Sequence, residues 1–164
     1  MNIGYAIYDT KFGSFEIRYK NDEIVMIKKT SISDKYRKND CKDKVEGKTE
    51  LTDKTITQLI EYFEGDRKVF DIPYKLEGTD FQMKVWSALT TIPYGETRSY
   101  KDIAIQVGNE KASRAIGMAN NKNPISIIVP CHRVIGSNGK LVGYESGLDM
   151  KEKILNIEKM NKDK

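Results

Sequence analysis

Apolar and polar residues alternate along the first thirty positions: Tyr5 and Ile7, then Phe12-Gly13-Ser14-Phe15-Glu16-Ile17, then Ile24, Val25 and Ile27. A period of two marks strands with one buried face. Asp9 to Gly13 and Lys20 to Glu23 supply turn residues between the runs, so the pattern predicts a three-stranded antiparallel meander. Residues 30–50 are almost all polar or charged and show no period, which reads as a loop or a poorly ordered link. The period then becomes helical, with Ile56, Leu59, Ile60 and Phe63 on one stripe. Thr52 or Asp53 is the expected cap and Gly65 the stop. Asp71 to Gly78, containing Pro73, reads as the connection to a second domain.

In the second half, Thr79-Asp80 caps a helix carrying Phe81, Val85, Trp86 and Leu89, with Trp86 expected in the core. Ile92-Pro93-Tyr94-Gly95 is a turn. Ser99 opens a helix through Tyr100, Ile103, Ala104 and Val107 that stops at Gly108, and another runs from near Lys111 to about Asn121. Helix, glycine turn, helix is the spacing of a helix-turn-helix, although any αα-corner shares it. The second helix of the pair is thin: Ala112, Ser113, Ala115, Gly117 and Ala119 surround a single long charged side chain, Arg114. Gly117 costs about 1 kcal/mol of propensity relative to alanine. A helix this thin suits close approach, either to a packed partner helix or to a nucleic-acid groove that Arg114 would enter. Asn138-Gly139 predicts a hairpin joining Val134-Ile135 to Leu141-Val142. The final helix, Leu148 to about Met160, carries Met150, Ile154 and Ile157 on its stripe. Glu158 shares that apolar face, where a carboxylate is costly without a partner. It is either a capping or salt-bridging residue or one that orients a histidine.

Chemistry concentrates in Pro130-Cys131-His132-Arg133-Val134, which follows the strand-like apolar run Ile125 to Val129 and holds the one histidine of the 164 residues. A cysteine after Ile and Val is commonly a small buried hydrophobe. A neighbouring imidazole offers the other reading, a thiol whose proton can be withdrawn. The ligand types and spacings do not make a structural zinc site. Cys41 could pair with Cys131 in principle, but it sits in a charged run that reads as a surface loop. Two cysteines and no signal peptide fit a reducing cytosol, hence a cytoplasmic protein. No apolar run is long enough to span a membrane. Residues 1–79 hold 15 basic and 15 acidic side chains, residues 80–164 hold 13 and 9, so the net +4 lies in the half with Cys131. That placement leans towards a polyanionic partner.

Taken in order, Thr79-x-Phe81-Gln82-x-x-Val85-Trp86, Ile92-Pro93-x-Gly95, Ser99-Tyr100, Arg114-Ala115-x-Gly117-x-Ala119, Asn123-Pro124, Pro130-Cys131-His132-Arg133-Val134, Gly143-Tyr144 and Glu158 resemble the O6-alkylguanine-DNA alkyltransferases, or methylated-DNA–protein-cysteine methyltransferases. The match is specific over residues 79–158 and rests on the strand-and-helix pattern before that. It implies an α+β fold of two domains. Residues 1–76 would be a ribonuclease-H-like domain with a three-stranded antiparallel sheet and a helix. Residues 77–164 would be a mostly helical, winged-helix-like domain that binds DNA and carries the active-site cysteine.

The resemblance also implies roles. A flipped O6-alkylguanine, or O4-alkylthymine, in double-stranded DNA approached from the minor groove would pass its alkyl group irreversibly to Cys131. His132 would act as base through a water and Glu158 would orient it. Tyr100 would help flipping and protonate the leaving base, and Arg114 would fill the gap in the stack. Asn123 would brace the turn between recognition helix and active site. Main-chain groups at Val134 and along Tyr144, Glu145 and Ser146 would read the base, while Ser99, Ala115 and Gly117 would belong to the DNA-facing surface. Neither cofactor nor metal is required, and the protein would act as a monomer. Glu145-Ser146 departs from the family's glycine- or serine-rich loop, and larger or charged side chains there could narrow the range of adducts. Three rivals make different demands. A non-catalytic lesion binder of the alkyltransferase-like type would lack a reactive thiol, which Cys131 argues against. A sequence-reading regulator would need more base-reading side chains than Arg114. A cysteine hydrolase would need an oxyanion hole, and no glycine-rich donor loop lies near Cys131.

Overall fold

The computed structural model describes residues 3–31 and 44–164, arranged as two compact units, Met1–Leu76 and Glu77–Lys164. In the first unit the alternating runs form β1 (Ile3–Thr10), β2 (Gly13–Lys20) and β3 (Glu23–Thr30), each antiparallel to the next. Ala6 faces Ile17 and Ile17 faces Ile27, so one face of the sheet is continuously apolar. It packs with Ile56, Leu59, Tyr62 and Phe63 of α1 (Glu50–Phe63), and all of these residues are buried.

Two details differ from the sequence-based expectation. Within the expected loop at 30–50, Lys44–Glu46 forms β4, parallel to β1, giving the sheet order β3-β2-β1-β4. Three residues are too few to display a period. Residues 32–43 of that expected loop, and with them Cys41 and any pairing to Cys131, lie outside the described residues. Helix α1 is capped by Thr49, not by Thr52 or Asp53. Thr49 and Thr52 exchange side-chain-to-backbone hydrogen bonds in a capping box. Thr52 is therefore the inner partner of the cap.

The second unit contains α2 (Asp80–Leu89), β5 (Arg98–Ser99), α3 (Tyr100–Gln106), α4 (Ser113–Asn121), a single 3₁₀ turn at Cys131–Arg133, β6 (Val134–Ile135) and α5 (Leu148–Asn161). Thr79 with Gln82 and Ser99 with Asp102 form capping boxes that start α2 and α3. Gly108, at φ +86°, ends the turn after α3 in a conformation that costs glycine little. Trp86 is buried and its indole N–H donates to the Ala119 carbonyl at 2.9 Å, tying α2 to α4. Helix α4 begins two residues later than expected from Lys111, with Ala112 at its boundary supplying no side-chain cap. Among the described residues no helix is long and apolar enough to cross a membrane.

Two larger corrections fall next to Cys131. The expected hairpin does not form. Val134–Ile135 pairs instead in parallel with Arg98–Ser99, and Gly136 to Lys140 closes a local turn. The carbonyls of Val134 and Val142 are both taken by the Lys151 ammonium, which holds the two segments without a ladder. The run Ile125 to Val129 is likewise no strand: Val129 N–H returns to the Ile125 carbonyl at 3.0 Å and Ile127 sits at φ +74°. A β-branched residue in that region is strained and persists only where its surroundings hold it.

Candidate active site

The side chain of Asn123 holds this strained turn. Its carbonyl accepts from the Ile125 N–H at 3.0 Å and its amide donates to the Val129 carbonyl at 2.7 Å. The chain then leaves through Pro130 into the 3₁₀ turn that begins at Cys131. Asn120, at the end of α4, donates to the Cys131 carbonyl at 3.2 Å. Two buried asparagines thus join the end of the helix pair to the cysteine's backbone.

Cys131 is reduced and only 4 % exposed. Burial pushes its thiol up to about 11. Hydrogen bonding by Asn123 and the positive charge of Lys151 pull the other way, and Glu145 adds to the rise. The resting group is therefore a protonated thiol that needs a base to become a nucleophile.

His132 is the adjacent residue and is fully buried. Its Nε2 lies 2.6 Å from Glu158 Oε2. Arg133 grips the same carboxylate with both edges, Nε to Oε1 at 2.8 Å and Nη2 to Oε2 at 3.0 Å, and donates Nη1 to the Ile92 carbonyl at 2.7 Å. The Gly95 N–H adds a bond to Oε1 at 3.1 Å. The guanidinium also lies over the Tyr94 ring at 5.6 Å. Burial alone would raise the Glu158 carboxyl, but the hydrogen bond from His132 and the charge and hydrogen bonds of Arg133 prevail and bring it down to about 2. Burial lowers His132, with Glu158 opposing and Arg133 assisting. At neutral pH an ionised Glu158 then accepts the Nε2–H of a neutral imidazole, which puts the basic lone pair on Nδ1. A neutral imidazole fixed beside a buried thiol is an arrangement for generating a thiolate.

The segment Val142 to Gly147 is tied to the same region through Lys151 and Tyr100. Lys151, buried in the first turn of α5, donates to the carbonyls of Val134 (2.6 Å), Val142 (3.0 Å) and Gly143 (3.2 Å). Burial brings its ammonium down to about 8, with Cys131 opposing. Tyr100, the first residue of α3, donates its hydroxyl to the same Val142 carbonyl at 2.8 Å. Burial and then the neighbouring cysteine raise the Tyr100 phenol, while Asn120 lowers it. Val134 is buried, Tyr144 and Ser146 are half-buried and Glu145 is exposed.

The structure therefore brings Cys131, His132, Glu158, Asn123, Val134 and Tyr100 into one cluster with the Tyr144–Ser146 loop. Arg114 and Ala115 stand apart on the exposed face of α4. Gly117 faces Tyr100: a Cβ placed there would lie 3.7 Å from the tyrosine ring. Ser99 spends its hydroxyl on the Asp102 N–H and its own N–H on the Asp102 carboxylate. Three contributors were not assigned from sequence: Arg133, Lys151 and Asn120. Lys151 carried a readable signal, since it lies three residues before Ile154 and seven before Glu158, on the same apolar stripe. Arg133 carried none beyond its neighbours.

Comparison with known proteins covers both units. Residues 3–76 match the ribonuclease-like domain of 6-O-methylguanine DNA methyltransferase, and residues 80–160 match its DNA-binding domain. A methylated-DNA–protein-cysteine methyltransferase of Methanosarcina acetivorans is 46% identical over 160 residues, covering 94% of this chain and 97% of the relative. The crystal structure of Mycobacterium tuberculosis OGT in complex with DNA superposes with a TM-score of 0.86 at 40% identity, covering 96% of this chain and 94% of the other. An O6-methylguanine DNA methyltransferase from Methanococcus jannaschii gives a TM-score of 0.71 at 28% identity, covering 94% and 93%. With both halves matched in order around the buried Cys131-His132 pair, the chain belongs to the methylated-DNA–protein-cysteine methyltransferase family.

Proposed function

We propose that this protein repairs DNA by direct reversal, moving the alkyl group of O6-alkylguanine, and of O4-alkylthymine, in duplex DNA onto its own Cys131. The observation that carries the reading is the buried thiol beside a histidine whose Nε2 is locked onto an ionised Glu158. His132 Nδ1, through a water, takes the thiol proton as Sγ attacks the alkyl carbon in line with the departing O6. The S–C bond forms, the O6–C bond breaks, and the purine leaves with its electron pair, protonated by the Tyr100 hydroxyl. In the resting structure that hydroxyl is on Val142, so substrate must exchange it from that carbonyl. The product thioether has no leaving path, which makes the reaction stoichiometric and free of any cofactor.

The remaining roles follow from position. Arg114, exposed on α4, enters the duplex and fills the gap left by the flipped base, with Ala115 and Gly117 allowing the helix to approach. Ser99 acts through its cap, which sets where Tyr100 begins α3. Asn123 braces the strained turn before the thiol. Main-chain groups at Val134 and along Tyr144–Ser146 read the base. Residues 1–76 are the ribonuclease-H-like domain and 77–164 the DNA-binding and transfer domain, acting as a monomer. A thiol used once requires a reducing compartment, which supports a cytoplasmic location.

Mass spectrometry of the protein after mixing with a duplex carrying O6-methylguanine tests the proposal. A stoichiometric gain of one methylene mass on the peptide containing Cys131 is expected, and Cys131→Ser should abolish it while duplex binding remains. Binding without any gain in mass would instead identify a non-catalytic lesion binder.

A further inference from the structure

Asn120 is a polar residue in an apolar place. It is the penultimate residue of α4 and only 1 % exposed. Its Nδ2 donates to the Cys131 carbonyl at 3.2 Å, whereas its Oδ1 is buried with no hydrogen-bond partner among the described residues. A buried acceptor left unpaired costs free energy, and a leucine of similar size would not incur that cost. An amide here therefore needs a use for both of its N–H groups, and the Cys131 carbonyl takes one.

Tyr100 lies along the same face of α4. A Cβ on Gly117, one turn before Asn120, would stand 3.7 Å from the Tyr100 ring at Cε1. The next residue, Asn121, reaches the other end of that ring: a Cβ on Gly143 would lie 3.3 Å from Asn121 Oδ1 and 3.6 Å from the Tyr100 hydroxyl. Residues 117, 120 and 121 are neighbours on a helix surface, so Asn120 belongs to the strip of α4 that runs from the ring edge to the hydroxyl. Burial and then Cys131 raise the Tyr100 phenol, and a hydrogen bond from Asn120 lowers it.

We propose that Asn120 is a positioning residue for proton delivery: one N–H of its amide fixes the Cys131 carbonyl and the other holds the Tyr100 hydroxyl oxygen, so that the phenolate formed when Tyr100 protonates the departing base is stabilised. The inference rests on the alkyl-transfer reading and on Tyr100 as its acid. The purine takes the hydroxyl proton as the O6–C bond breaks and the S–C bond forms. The phenolate then recovers a proton from water, and His132 releases the thiol proton to water. A donor aimed at the phenol oxygen matters most when that oxygen is charged, which is the condition for lowering a barrier.

A double-mutant cycle with Tyr100→Phe tests this. Single-turnover methyl transfer from a duplex carrying O6-methylguanine should slow roughly tenfold in Asn120→Leu, the worth of one hydrogen bond to a charged oxygen. With Tyr100→Phe already present, adding Asn120→Leu should slow transfer by less than about twofold, because the oxygen it serves is gone. In ring-labelled protein, the Tyr100 resonance (assigned by its loss in Tyr100→Phe) should titrate at higher pH in Asn120→Leu. Alkylation of the Cys131 peptide by iodoacetamide, which has no base to protonate, should keep its rate, and Tm should hold or rise. Asn120→Ala carried through the same cycle serves if the leucine variant does not fold. Equal slowing with and without the Tyr100 hydroxyl would overturn the proposal and leave Asn120 as a brace for the Cys131 backbone; so would no slowing at all. Failure of the underlying reading looks different. Unaltered protein would then alkylate with iodoacetamide yet take no methyl group from the duplex, or Tyr100→Phe alone would leave transfer unchanged.

Discussion

Four hydrogen bonds converge on the Glu158 carboxylate, from His132, twice from Arg133 and from the Gly95 amide. A carboxylate so held has its folded pKa at about 2, below the ordinary 4.5, so its contribution to stability is fully present above pH 4.5 and is lost as pH falls from there towards 2. The size of that contribution is about 3 kcal/mol. Urea unfolding of Glu158→Gln at pH 7 should show a loss of about 3–5 kcal/mol, because Arg133 is left buried without its counter-charge. Between pH 5 and 2 the variant should lose less further stability than the unaltered protein, and parallel losses would remove Glu158 from the acid response. The inward position of Glu158 was legible from helical spacing alone, yet its principal charge partner was not. Arg133 directly follows the histidine in sequence, and the 3₁₀ turn at Cys131–Arg133 brings both side chains to one carboxylate.

Among the elements, the helices were legible because their caps, stripes and stops are local. Thr79, Ser99 and Gly108 act where the pattern places them. The expected hairpin failed because the hydrogen-bond partners of its segments come from afar. Val134–Ile135 pairs with Arg98–Ser99 and shares Lys151 with Val142, and no nearby residue announces either contact. The apolar run before Cys131 resembles a strand in composition, but Asn123 folds it into a turn that puts Ile127 at positive φ. The thin helix α4 illustrates a reading that spacing left open. Gly117 faces the Tyr100 ring, but at 3.7 Å an added methyl would make an ordinary contact without overlap. Gly117→Ala should therefore stabilise the protein by about 0.5–1 kcal/mol, raising Tm by roughly 1–4 °C. Calorimetry checks this. Slower repair of duplex despite a higher Tm would assign the glycine to DNA approach, and unchanged repair would assign it to helix packing.

For the molecule as a whole, the basic excess and the thiol cluster lie in the same unit, whereas residues 1–79 are balanced in charge. Association with duplex should weaken steeply as salt rises, since phosphate contacts supply sequence-independent affinity. Arg114 offers a way to separate that general attraction from the flipping step. It is exposed on α4, outside the hydrogen-bonded cluster around Cys131, so the chemistry at sulfur does not depend on it. A base already free in solution needs no extrusion, whereas a base in duplex must be unstacked at a cost of a few kcal/mol. Arg114→Ala should slow methyl transfer from duplex by roughly tenfold or more, if about 1.4 kcal/mol or more of that cost is offset by the guanidinium, while transfer from free O6-methylguanine stays nearly unchanged. Single-turnover rates on the two substrates, measured at one ionic strength, separate the effects. Equal slowing on both would mean that Arg114 supports the fold of the unit and does not replace the flipped base.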